Sequence, residues 1–367
     1  MDPRGVGWPD GYTAAAGVVK GGGLVYPRAV RFGLIGYGLW GRHHAAAIAA
    51  APGARLAAIA CAGPATAAAA QRDFPGVPVD VVYPGLLARK DVDAVVVVVP
   101  NHLHVEVGVA ALEAGKDVLL EKPMATTVEG CDRLLAAARA SGRLLSIGHE
   151  LRLSTQFGRV KALIDAGEIG APTYASFSLF RFPFRPGSAG WRYDAARVGS
   201  WILEEPVHFF DFVMWYFESL GDPVSVQALG SPGGRAAGLT ESFTALLRFA
   251  GGAHAVITQT LGGFEYHQLL HVVGTEGSIR SWWSGTLDRT LTPAFELRHE
   301  RRGRGVATVP AGPSGELVEL GEQGRQVVAA FAERRPLLGG EEARKRIVVC
   351  LAAEESLRDG REVALRF

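Results

Sequence analysis

The sequence is poor in cysteine, has no long apolar run and carries almost no net charge. Its three cysteines, Cys61, Cys131 and Cys350, are spaced like neither a disulfide framework nor a metal motif, which fits a reducing cytoplasm. The apolar run from Ala94 to Pro100 is far too short to span a bilayer. A formal net charge of +1 gives no electrostatic argument for binding nucleic acid or an anionic membrane surface. A small-molecule partner is therefore favoured.

The length of 367 residues and the order of segments predict two domains behind an N-terminal extension. Residues 1–28 are rich in glycine and proline, and we expect a flexible extension or, alternatively, a segment ordered against a neighbouring subunit. In residues 29–150 strand-like and helical segments alternate, which predicts a doubly wound parallel α/β sheet. Residues 151–367 predict a second α/β domain with an open, mainly antiparallel sheet and C-terminal helices, for substrate binding and oligomerisation.

The most informative motif is a glycine-rich turn between a strand-like and a helix-forming segment. It consists of Gly36, Tyr37, Gly38, Leu39, Trp40 and Gly41. In such a unit the first glycine permits the tight turn, the second lets the backbone approach a pyrophosphate, and the third lets the helix pack on the strand. The free N–H groups of the helix then bind the phosphates. The motif predicts a dinucleotide-binding Rossmann domain, with a purely structural glycine turn as the alternative.

The position that normally distinguishes the two nicotinamide dinucleotides holds Cys61. A carboxylate about 20 residues beyond the glycines binds the 2′-hydroxyl of NAD in many such domains. Here no carboxylate repels a 2′-phosphate, and no arginine follows at once to hold one, since the nearest is Arg72. Both NAD(H) and NADP(H) stay open, and the lack of a positive clamp favours NAD(H).

A candidate catalytic lysine follows a predicted strand of the parallel sheet. Lys122 stands between Glu121 and Pro123, directly after the segment Val118–Leu120. Ligands bind at the carboxyl ends of strands in sheets of this type. A lysine there can hold a substrate hydroxyl and move a proton if burial or a neighbouring cation lowers its pKa. An ordinary surface lysine is the alternative.

A second candidate element is the pair Glu204 and His208, in a segment predicted to be helical from about Glu204 to Phe217. Residues four apart share a face of a helix. A carboxylate beside an imidazole fixes its orientation and raises its basicity. Pro206 fits the first turn of such a helix. A purely structural contact between the two is the alternative.

Together these residues resemble the glucose–fructose oxidoreductase / inositol dehydrogenase / MocA (Gfo/Idh/MocA) family over about residues 31–285. Further motifs of the resemblance are Pro100-Asn101-His102-Leu103-His104, Ala114-Gly115-Lys116, Trp191-Arg192 and Gly274-Thr275-Glu276-Gly277. The resemblance implies a Rossmann domain followed by an α/β domain with an open, mainly antiparallel sheet. It also implies oxidation or reduction of a carbinol carbon of sugars and cyclitols with a nicotinamide cofactor.

The resemblance implies roles for individual residues. Lys122 matches the active-site lysine of the family, and His208 matches the histidine that takes the hydroxyl proton as hydride leaves. Glu204 stands where the family usually has aspartate, so the orienting carboxylate is one methylene further out. Cofactor binding is assigned, beyond the glycine turn and Cys61, to Pro100, Asn101, His104, Glu121 and Lys122. Substrate binding is assigned to Glu150, Arg152, Arg181, Trp191, Arg192 and Glu205.

Carboxylates and guanidinium groups among these residues suit a ligand with many hydroxyl groups. We expect a neutral polyol or sugar first and an aminosugar or aminocyclitol second; the alternative is that these charges only pair with one another. No metal is expected, because the histidine pairs at 102/104 and 267/271 lack the spacing of a metal motif.

The leading hypothesis is therefore a nicotinamide-dependent dehydrogenase. Redox-neutral epimerisation or elimination through a transient ketone is one alternative, and a non-catalytic regulator that senses NAD(P) or a sugar is another. The presence of both Lys122 and His208 argues against the regulator, because a sensor needs no proton relay. The apolar strand patterns at Ala253–Ile257 and Leu269–Val273 predict a homodimer or homotetramer.

Overall fold

The first part of the chain forms a six-stranded parallel sheet flanked by helices. The computed structural model describes residues 29–231 and 233–367, so the extension predicted for residues 1–28 lies outside the described residues. The elements are β1 (Val30–Ile35), α1 (Leu39–Ala50), β2 (Ala54–Ala60), α2 (Pro64–Asp73), β3 (Val79–Asp80), α3 (Tyr83–Leu87), β4 (Ala94–Val97), α4 (His104–Glu113), β5 (Asp117–Glu121), α5 (Val128–Ser141) and β6 (Leu145–Gly148). The strand order is β3-β2-β1-β4-β5-β6, with parallel pairs throughout. The predicted doubly wound sheet is confirmed.

The direction in which strands are added reverses at β1, because β2 lies on one side of it and β4 on the other. Such a reversal opens a crevice outside the carboxyl ends of the strands. Gly36 follows β1 directly, Pro100 lies in the loop after β4, and Lys122 follows β5 directly. These three positions therefore meet at one edge of the sheet.

The second part of the chain forms a nine-stranded mixed sheet. Its elements are α6 (Phe157–Asp165), β7 (Pro172–Phe180), α7 (Ala195–Val198), α8 (Trp201–Glu204), α9 (Val207–Tyr216), β8 (Ser225–Ser231), β9 (Ser242–Arg248), β10 (His254–Thr260), β11 (Tyr266–Gly274), β12 (Gly277–Gly285), β13 (Ala294–Arg301), β14 (Gly305–Thr308), α10 (Glu316–Ala332), α11 (Gly340–Asp359) and β15 (Val363–Ala364). The order is β14-β13-β12-β11-β7-β10-β9-β8-β15, and β7 pairs in parallel with β10 while the other described pairs are antiparallel. None of the helices in the described ranges is long and apolar enough to cross a membrane.

One face of the second sheet is buried under α9. In β7 the side chains of Ala175, Phe177 and Leu179 are buried, whereas the serines between them are only half-buried. Phe177 stacks on Phe209 of α9 with ring centroids 4.1 Å apart. This period-two pattern fixes the register of the sheet, and the packing fixes the helix that carries His208.

Helix α10 returns to the first sheet although it follows the second in the chain. Phe331 stacks on Phe32 of β1 with ring centroids 6.2 Å apart. Gly324 lies so close to α1 that a Cβ there would sit 3.1 Å from the carbonyl oxygen of Ala47. The N-terminal end of α10 therefore reaches the crevice while its body covers the first sheet.

Candidate active site

The glycine turn after β1 is packed so closely that two of its positions exclude a side chain. Gly36 has a φ of +101°, and a Cβ there would lie 2.0 Å from the carbonyl oxygen of Val98. A Cβ on Gly41 would lie 2.0 Å from the carbonyl oxygen of Gly36. The protein backbone itself therefore requires glycine at both positions.

Gly38 is glycine for a different reason. A Cβ there would meet no atom within 4 Å among the described residues. Gly38 is the N-cap of α1, offers no side-chain hydrogen bond to the helix, and is followed by a first turn without acidic residues. Open space, free N–H donors and the positive end of the helix dipole fit the diphosphate of a dinucleotide.

The other residues of the turn differ in accessibility. Tyr37 is buried and donates a hydrogen bond to Asp73 in α2 at 2.8 Å. Leu39 is 53% exposed at the start of α1. The guanidinium carbon of Arg289, from the loop after β12, lies 5.7 Å from the ring centre of Trp40. The Tyr37 side chain thus holds the turn to α2, whereas Leu39 and Trp40 border the open space.

Cys61 lies just beyond β2, at the edge of the sheet where the sequence places it. Its N–H donates to the carbonyl oxygen of Asp80 at 2.8 Å, and its side chain is buried. Burial raises the pKa of its thiol. The group is therefore uncharged near neutral pH and neither repels nor attracts a 2′-phosphate.

His44 connects α1, the helix after the glycine turn, to the strand that precedes Lys122. Its Nε2 lies 2.7 Å from Oε1 of Glu121, the last residue of β5, and both side chains are buried. Burial alone would raise the pKa of Glu121, but the hydrogen bond with His44 and the charge of Lys122 lower it below its ordinary value. Glu121 is thus a charged link between the glycine turn and the lysine.

The loop after β4 is tied to the elements around Lys122. Asn101 donates through Nδ2 to the carboxylate of Glu204 at 3.2 Å. The ring nitrogens of His104 lie 2.6 Å from the carbonyl oxygen of Pro123 and 2.9 Å from that of Val99. Both side chains therefore position neighbouring loops of the crevice.

Lys122 is a buried cation among carboxylates. Its Nζ donates a hydrogen bond to the main-chain carbonyl oxygen of Glu204 at 2.6 Å. Burial lowers the pKa of Lys122, but the carboxylates of Glu204, Glu205, Glu150 and Glu121 outweigh burial and raise it above its ordinary value. The lowered pKa that a lysine base would need is therefore not found, and Lys122 is a hydrogen-bond donor with a full positive charge.

The helix expected from about Glu204 to Phe217 is present as α9 over Val207–Tyr216, but its predicted start at Glu204 is wrong. Glu205 has φ and ψ of −138° and −48°, so α8 ends at Glu204 and α9 begins only at Val207. Pro206 has no N–H to continue the hydrogen-bond ladder of α8, which explains the break. Glu204 and His208 consequently do not share a helix face.

The carboxylate of Glu204 therefore has other partners than the expected histidine. It accepts hydrogen bonds from Asn101 and from Nε of Arg192. Burial alone would raise the pKa of Glu204, but Arg192 and Lys122 hold it below its ordinary value. The guanidinium carbon of Arg192 in turn lies 4.6 Å from the ring centre of Trp191. Glu204 thus organises the wall that carries Trp191 and Arg192.

His208 is a buried, neutral imidazole at the start of α9. Burial, the charge of Lys122 and the proximity of His149 hold the pKa of His208 well below its ordinary value. The carboxylate that lies near it is that of Glu150, with Oε1 3.7 Å from Nε2 of His208. Because the ring is uncharged near neutral pH, it can accept a proton.

Glu150 is a buried carboxyl group with an unused acceptor. It is 2% exposed, and its Oε2 has no hydrogen-bond partner among the described residues. Burial and the negative charge of Glu121 raise the pKa of Glu150 to about 8. The group therefore holds a proton at neutral pH unless a ligand brings positive charge or hydrogen-bond donors.

Arg152, predicted to contact substrate, lies in a buried ion cluster next to His149. Its Nε and Nη2 donate to the two carboxylate oxygens of Asp211 at 2.7 and 2.6 Å, and Arg346 donates to Asp211 at 2.7 Å. The Nδ1 of His149 lies 3.7 Å from Asp211. Sequence patterns did not reveal Asp211 or Arg346, although Asp211 follows His208 by three residues and so lies one helical turn away.

Arg181 and Glu205 form a second buried ion pair. Nη1 of Arg181 donates to Glu205, which also accepts a hydrogen bond from the hydroxyl of Tyr266. The guanidinium carbon of Arg181 lies 4.2 Å from the ring centre of Phe184. Of the assigned substrate residues, Glu150, Glu205, Arg181, Arg192 and Trp191 are thus brought around Lys122.

Several residues of the crevice were missed by sequence analysis. Gln268 of β11, Asp288 of the loop after β12, and Glu316 and Glu319 of α10 line a recess beside Glu205. They lie more than 100 residues beyond Lys122, and only the fold brings them close. The acidic first turn of α10 is a local signal, but on its own it indicates a helix start.

Metal-ligating side chains do not cluster in the part of the chain that the structure describes. There, no group of three or more histidine, cysteine, aspartate or glutamate residues has the geometry to hold an ion. His267 instead forms a hydrogen bond with the hydroxyl of Ser284.

Family models match both halves of the chain. Residues 30–149 match the model "Oxidoreductase family, NAD-binding Rossmann fold", and residues 157–280 match the model "GFO/IDH/MocA C-terminal domain". The chain is 31% identical to inositol 2-dehydrogenase of Acidothermus cellulolyticus over 257 aligned residues. The alignment covers 69% of this chain and 72% of that protein.

Two further proteins are similar in sequence or in fold. A 1,5-anhydro-D-fructose reductase of Ensifer adhaerens is 34% identical over 203 residues, which cover 53% of this chain and 58% of the length of the reductase. The solved structure of levoglucosan dehydrogenase in complex with NADH and L-sorbose superposes with a TM-score of 0.78 at 24% identity, over 92% of this chain and 99% of that one. The structural likeness concerns the fold alone. From the two family models and the relative matched over more than two thirds of its length, the chain belongs to the Gfo/Idh/MocA family of oxidoreductases with an NAD-binding Rossmann fold.

Proposed function

We propose that this protein transfers a hydride between a nicotinamide dinucleotide and a carbinol carbon of a sugar or cyclitol. The observation that carries the proposal is the pairing of a neutral buried imidazole, His208, with a permanently charged ammonium, Lys122, at the crevice edge of the Rossmann sheet. One group can accept a proton and the other can donate a hydrogen bond, which are the two functions that alcohol oxidation needs.

In the oxidation direction, His208 accepts the proton of the substrate hydroxyl. Lys122 donates a hydrogen bond to the same oxygen and stabilises the negative charge that develops there. A bound nicotinamide dinucleotide would supply the acceptor for the hydride of the carbinol carbon. In the reduction direction His208 returns the proton to the oxygen, so one proton and one hydride are exchanged in each direction. Lys122 has three N–H donors. One of them donates to the carbonyl oxygen of Glu204, which leaves two for the substrate.

Glu204 acts in this scheme as a positioning residue. Its main-chain carbonyl holds the Lys122 ammonium, and its carboxylate holds Asn101 and Arg192. The longer side chain, compared with the aspartate usual in the family, reaches these two donors rather than His208. His208 is instead oriented by its packing in a buried position against Glu150 and His149.

A polyhydroxylated substrate is favoured by the polar groups of the crevice. Glu150 and Gln268 each present a buried acceptor without a partner among the described residues, and a hydroxyl group can satisfy it. The names of the relatives, inositol 2-dehydrogenase and 1,5-anhydro-D-fructose reductase, support substrates of this class.

For the cofactor, Gly36, Gly38 and Gly41 with the N-terminus of α1 would hold the diphosphate, and Cys61 would lie near the adenosine ribose. We infer a preference for NAD(H), because the end of β2 offers the uncharged Cys61 thiol and no arginine stands next to it in the sequence to hold a 2′-phosphate.

The experiment that tests this function is a spectrophotometric screen of sugars, inositols and their amino derivatives with NAD and NADP. Formation of reduced nicotinamide with at least one polyol, abolished in His208→Gln, is the expected result. Binding of cofactor without any turnover across the screen would favour the sensing regulator, and release of an epimer without reduced nicotinamide would favour the redox-neutral alternative.

A further inference from the structure

A small recess beside the candidate site is lined by apolar and aromatic side chains, with carboxyl and amide groups among them. Its walls include Tyr266, Gln268, Trp283, Asp288, Glu316 and Glu319. None of the described residues that line it is a lysine, an arginine or a histidine. It has room for a group of about the size of one water molecule. The recess is therefore large enough for only one small substituent of a ligand.

The recess adjoins the reacting centre through Tyr266. The hydroxyl of Tyr266 donates to Glu205, the residue after Glu204, whose carbonyl holds Lys122. A ligand group in the recess would thus belong to the same small molecule that Lys122 and His208 act on.

Charges around Glu316 are mostly of its own sign. The carboxylates of Asp288, Glu205 and Glu150 act on it, and Lys122 is the opposing cation. Burial and these carboxylates raise the pKa of Glu316 well above its ordinary value. The carboxyl group of Glu319 has more hydrogen-bond partners than that of Glu316, because it accepts hydrogen bonds from Ser314 and from the N–H of Gly315. Carboxyl groups therefore outnumber cations in and around the recess, where Arg289 pairs with Asp288 and Arg181 pairs with Glu205.

Two buried acceptors independently indicate a missing donor. Gln268 is 4% exposed and donates through Nε2 to the hydroxyl of Tyr266 at 3.0 Å, while its Oε1 has no hydrogen-bond partner among the described residues. The Oε2 of Glu150, in the neighbouring wall, has none either. Buried acceptors are normally paired, so each of these atoms calls for a donor from outside the chain.

We propose that the recess binds the ammonium group of an amino-substituted sugar or cyclitol, so that the substrate of the oxidoreductase proposed above, on which this inference rests, is a cation. An ammonium group is about as large as a water molecule and carries three donors with a positive charge. Gln268 and Glu316 supply acceptors for it. A hydroxyl group brings one donor and no positive charge to pair with an ionised carboxylate.

Binding of a cation has a consequence that binding of a neutral sugar lacks. Glu316 is faced by Asp288, Glu205, Glu150 and Lys122, and burial together with these carboxyl groups raises its pKa and favours its protonated form in the free protein. An ammonium group in the recess favours the ionised carboxylate, so that proton is released on binding. The number of protons released is measurable by calorimetry in two buffers of different ionisation enthalpy.

The test compares matched pairs of ligands on the full chain. The pairs are glucose and glucosamine, galactose and galactosamine, mannose and mannosamine, and inositol and an aminodeoxyinositol. Dissociation constants are measured by calorimetry at pH 7 for the unmodified protein and for Glu316→Gln, which keeps the shape and removes the charge. Glu322→Gln is the control, because Glu322 lies on the same helix but pairs with Arg325 and Gln326.

The proposal expects at least one amine to bind about 10-fold or more tightly than its hydroxyl partner, with proton release. In Glu316→Gln that ratio falls to about 1–3, and in Glu322→Gln it is unchanged. The proposal is overturned if every hydroxyl compound binds as well as its amine, or if Glu316→Gln retains the preference. Because binding is measured without turnover, these outcomes stay distinct from failure of the proposed function, which the absence of reduced nicotinamide with all eight compounds would indicate.

Discussion

The ammonium of Lys122 donates to the main-chain carbonyl oxygen of Glu204 at 2.6 Å, and this contact joins the two sheets of the molecule. Lys122 follows β5 of the parallel sheet, whereas Glu204 ends a helix that belongs to the second part of the chain. A carbonyl partner fixes the direction of the ammonium without neutralising it, and the surrounding carboxylates keep it charged. Lys122 is thereby a fixed donor, which is consistent with the proposed role of His208 as proton acceptor.

Lys122→Met is expected to lower kcat for the proposed oxidation by about 10²–10⁴, because the donor to the reacting oxygen is lost. The Kd for the dinucleotide should change little, since the glycine turn and α1 are untouched. Steady-state kinetics and a fluorescence titration with reduced cofactor measure the two effects. Lys90→Met, at an exposed lysine, is the control and should behave like the unmodified protein. A kcat for Lys122→Met within a few-fold of normal would contradict the assignment.

The pH profile is expected to separate His208 from Glu150. Because the pKa of His208 lies well below its ordinary value, the imidazole stays neutral as pH falls to 6.5, and its protonation causes no loss of kcat/KM above that pH. Glu150 has a pKa of about 8, so its ionisation adds negative charge beside His208 as pH rises. We expect kcat/KM for oxidation to rise through an inflection near pH 8 in the unmodified protein and to lack it in Glu150→Gln. An unchanged inflection in that variant would show that another group is responsible.

Local sequence pattern was sufficient to predict the parts of the site that depend on one strand and its loop. The spacing of Gly36, Gly38 and Gly41 predicted the turn, and the position of Lys122 after an apolar strand predicted its place at the crevice. Both inferences need only the neighbouring residues and the rule that ligands bind at the carboxyl ends of parallel strands.

Other features of the site depend on contacts between distant segments, and local pattern does not encode them. The pKa of Lys122 rises because carboxylates at positions 121, 150, 204 and 205 converge on it. The predicted helix face shared by Glu204 and His208 was wrong, because α8 ends at Glu204 and α9 begins only at Val207, with Pro206 as its N-cap. Gln268 and Glu316 meet in the recess only through the second sheet and the return of α10.

Asp211→Asn is expected to lower the free energy of unfolding by about 3–5 kcal/mol at pH 7, because it leaves Arg152 and Arg346 with less compensation in a buried site. Burial opposes the charge of Asp211, but Arg152, His149 and Arg346 hold its pKa far below its ordinary value. Its contribution is therefore present above that ordinary value and is lost as pH falls through the lowered one, so the two proteins should converge in acid.

Urea unfolding at pH 7 measures this difference, and a second series in acid well below pH 4 tests the convergence. Asp222→Asn is the control, because Asp222 pairs with Lys345 at the surface and should change stability by less than about 1 kcal/mol. Equal effects of the two substitutions would contradict the structural importance of the cluster around Asp211.

The protein is expected to form a homodimer or homotetramer through the exposed face of the second sheet. Leu269 of β11 and Phe180 of β7 are 42% and 36% exposed on that sheet, which buries its other face under α9. Light scattering at micromolar concentration should give a multiple of the chain mass, and Leu269→Glu should reduce it. Leu291→Glu, at an exposed leucine in the loop between β12 and β13, is the control. A monomer mass for the unmodified protein would contradict the prediction.

Gly38→Ala and Gly41→Ala are expected to have opposite consequences. Gly38 has φ and ψ of −76° and −168°, which alanine adopts freely, and its Cβ would point into open space. Gly38→Ala should therefore melt near the Tm of the unmodified protein but bind reduced cofactor at least about 10-fold more weakly, because the methyl group occupies the space proposed for the diphosphate. At Gly41 the added Cβ would lie 2.0 Å from the carbonyl oxygen of Gly36, so that variant should lose about 1–3 kcal/mol of stability before any ligand is added. Thermal melts and a titration with NADH distinguish the two, and a Gly38→Ala protein that binds NADH normally would mean that the diphosphate does not lie against this turn.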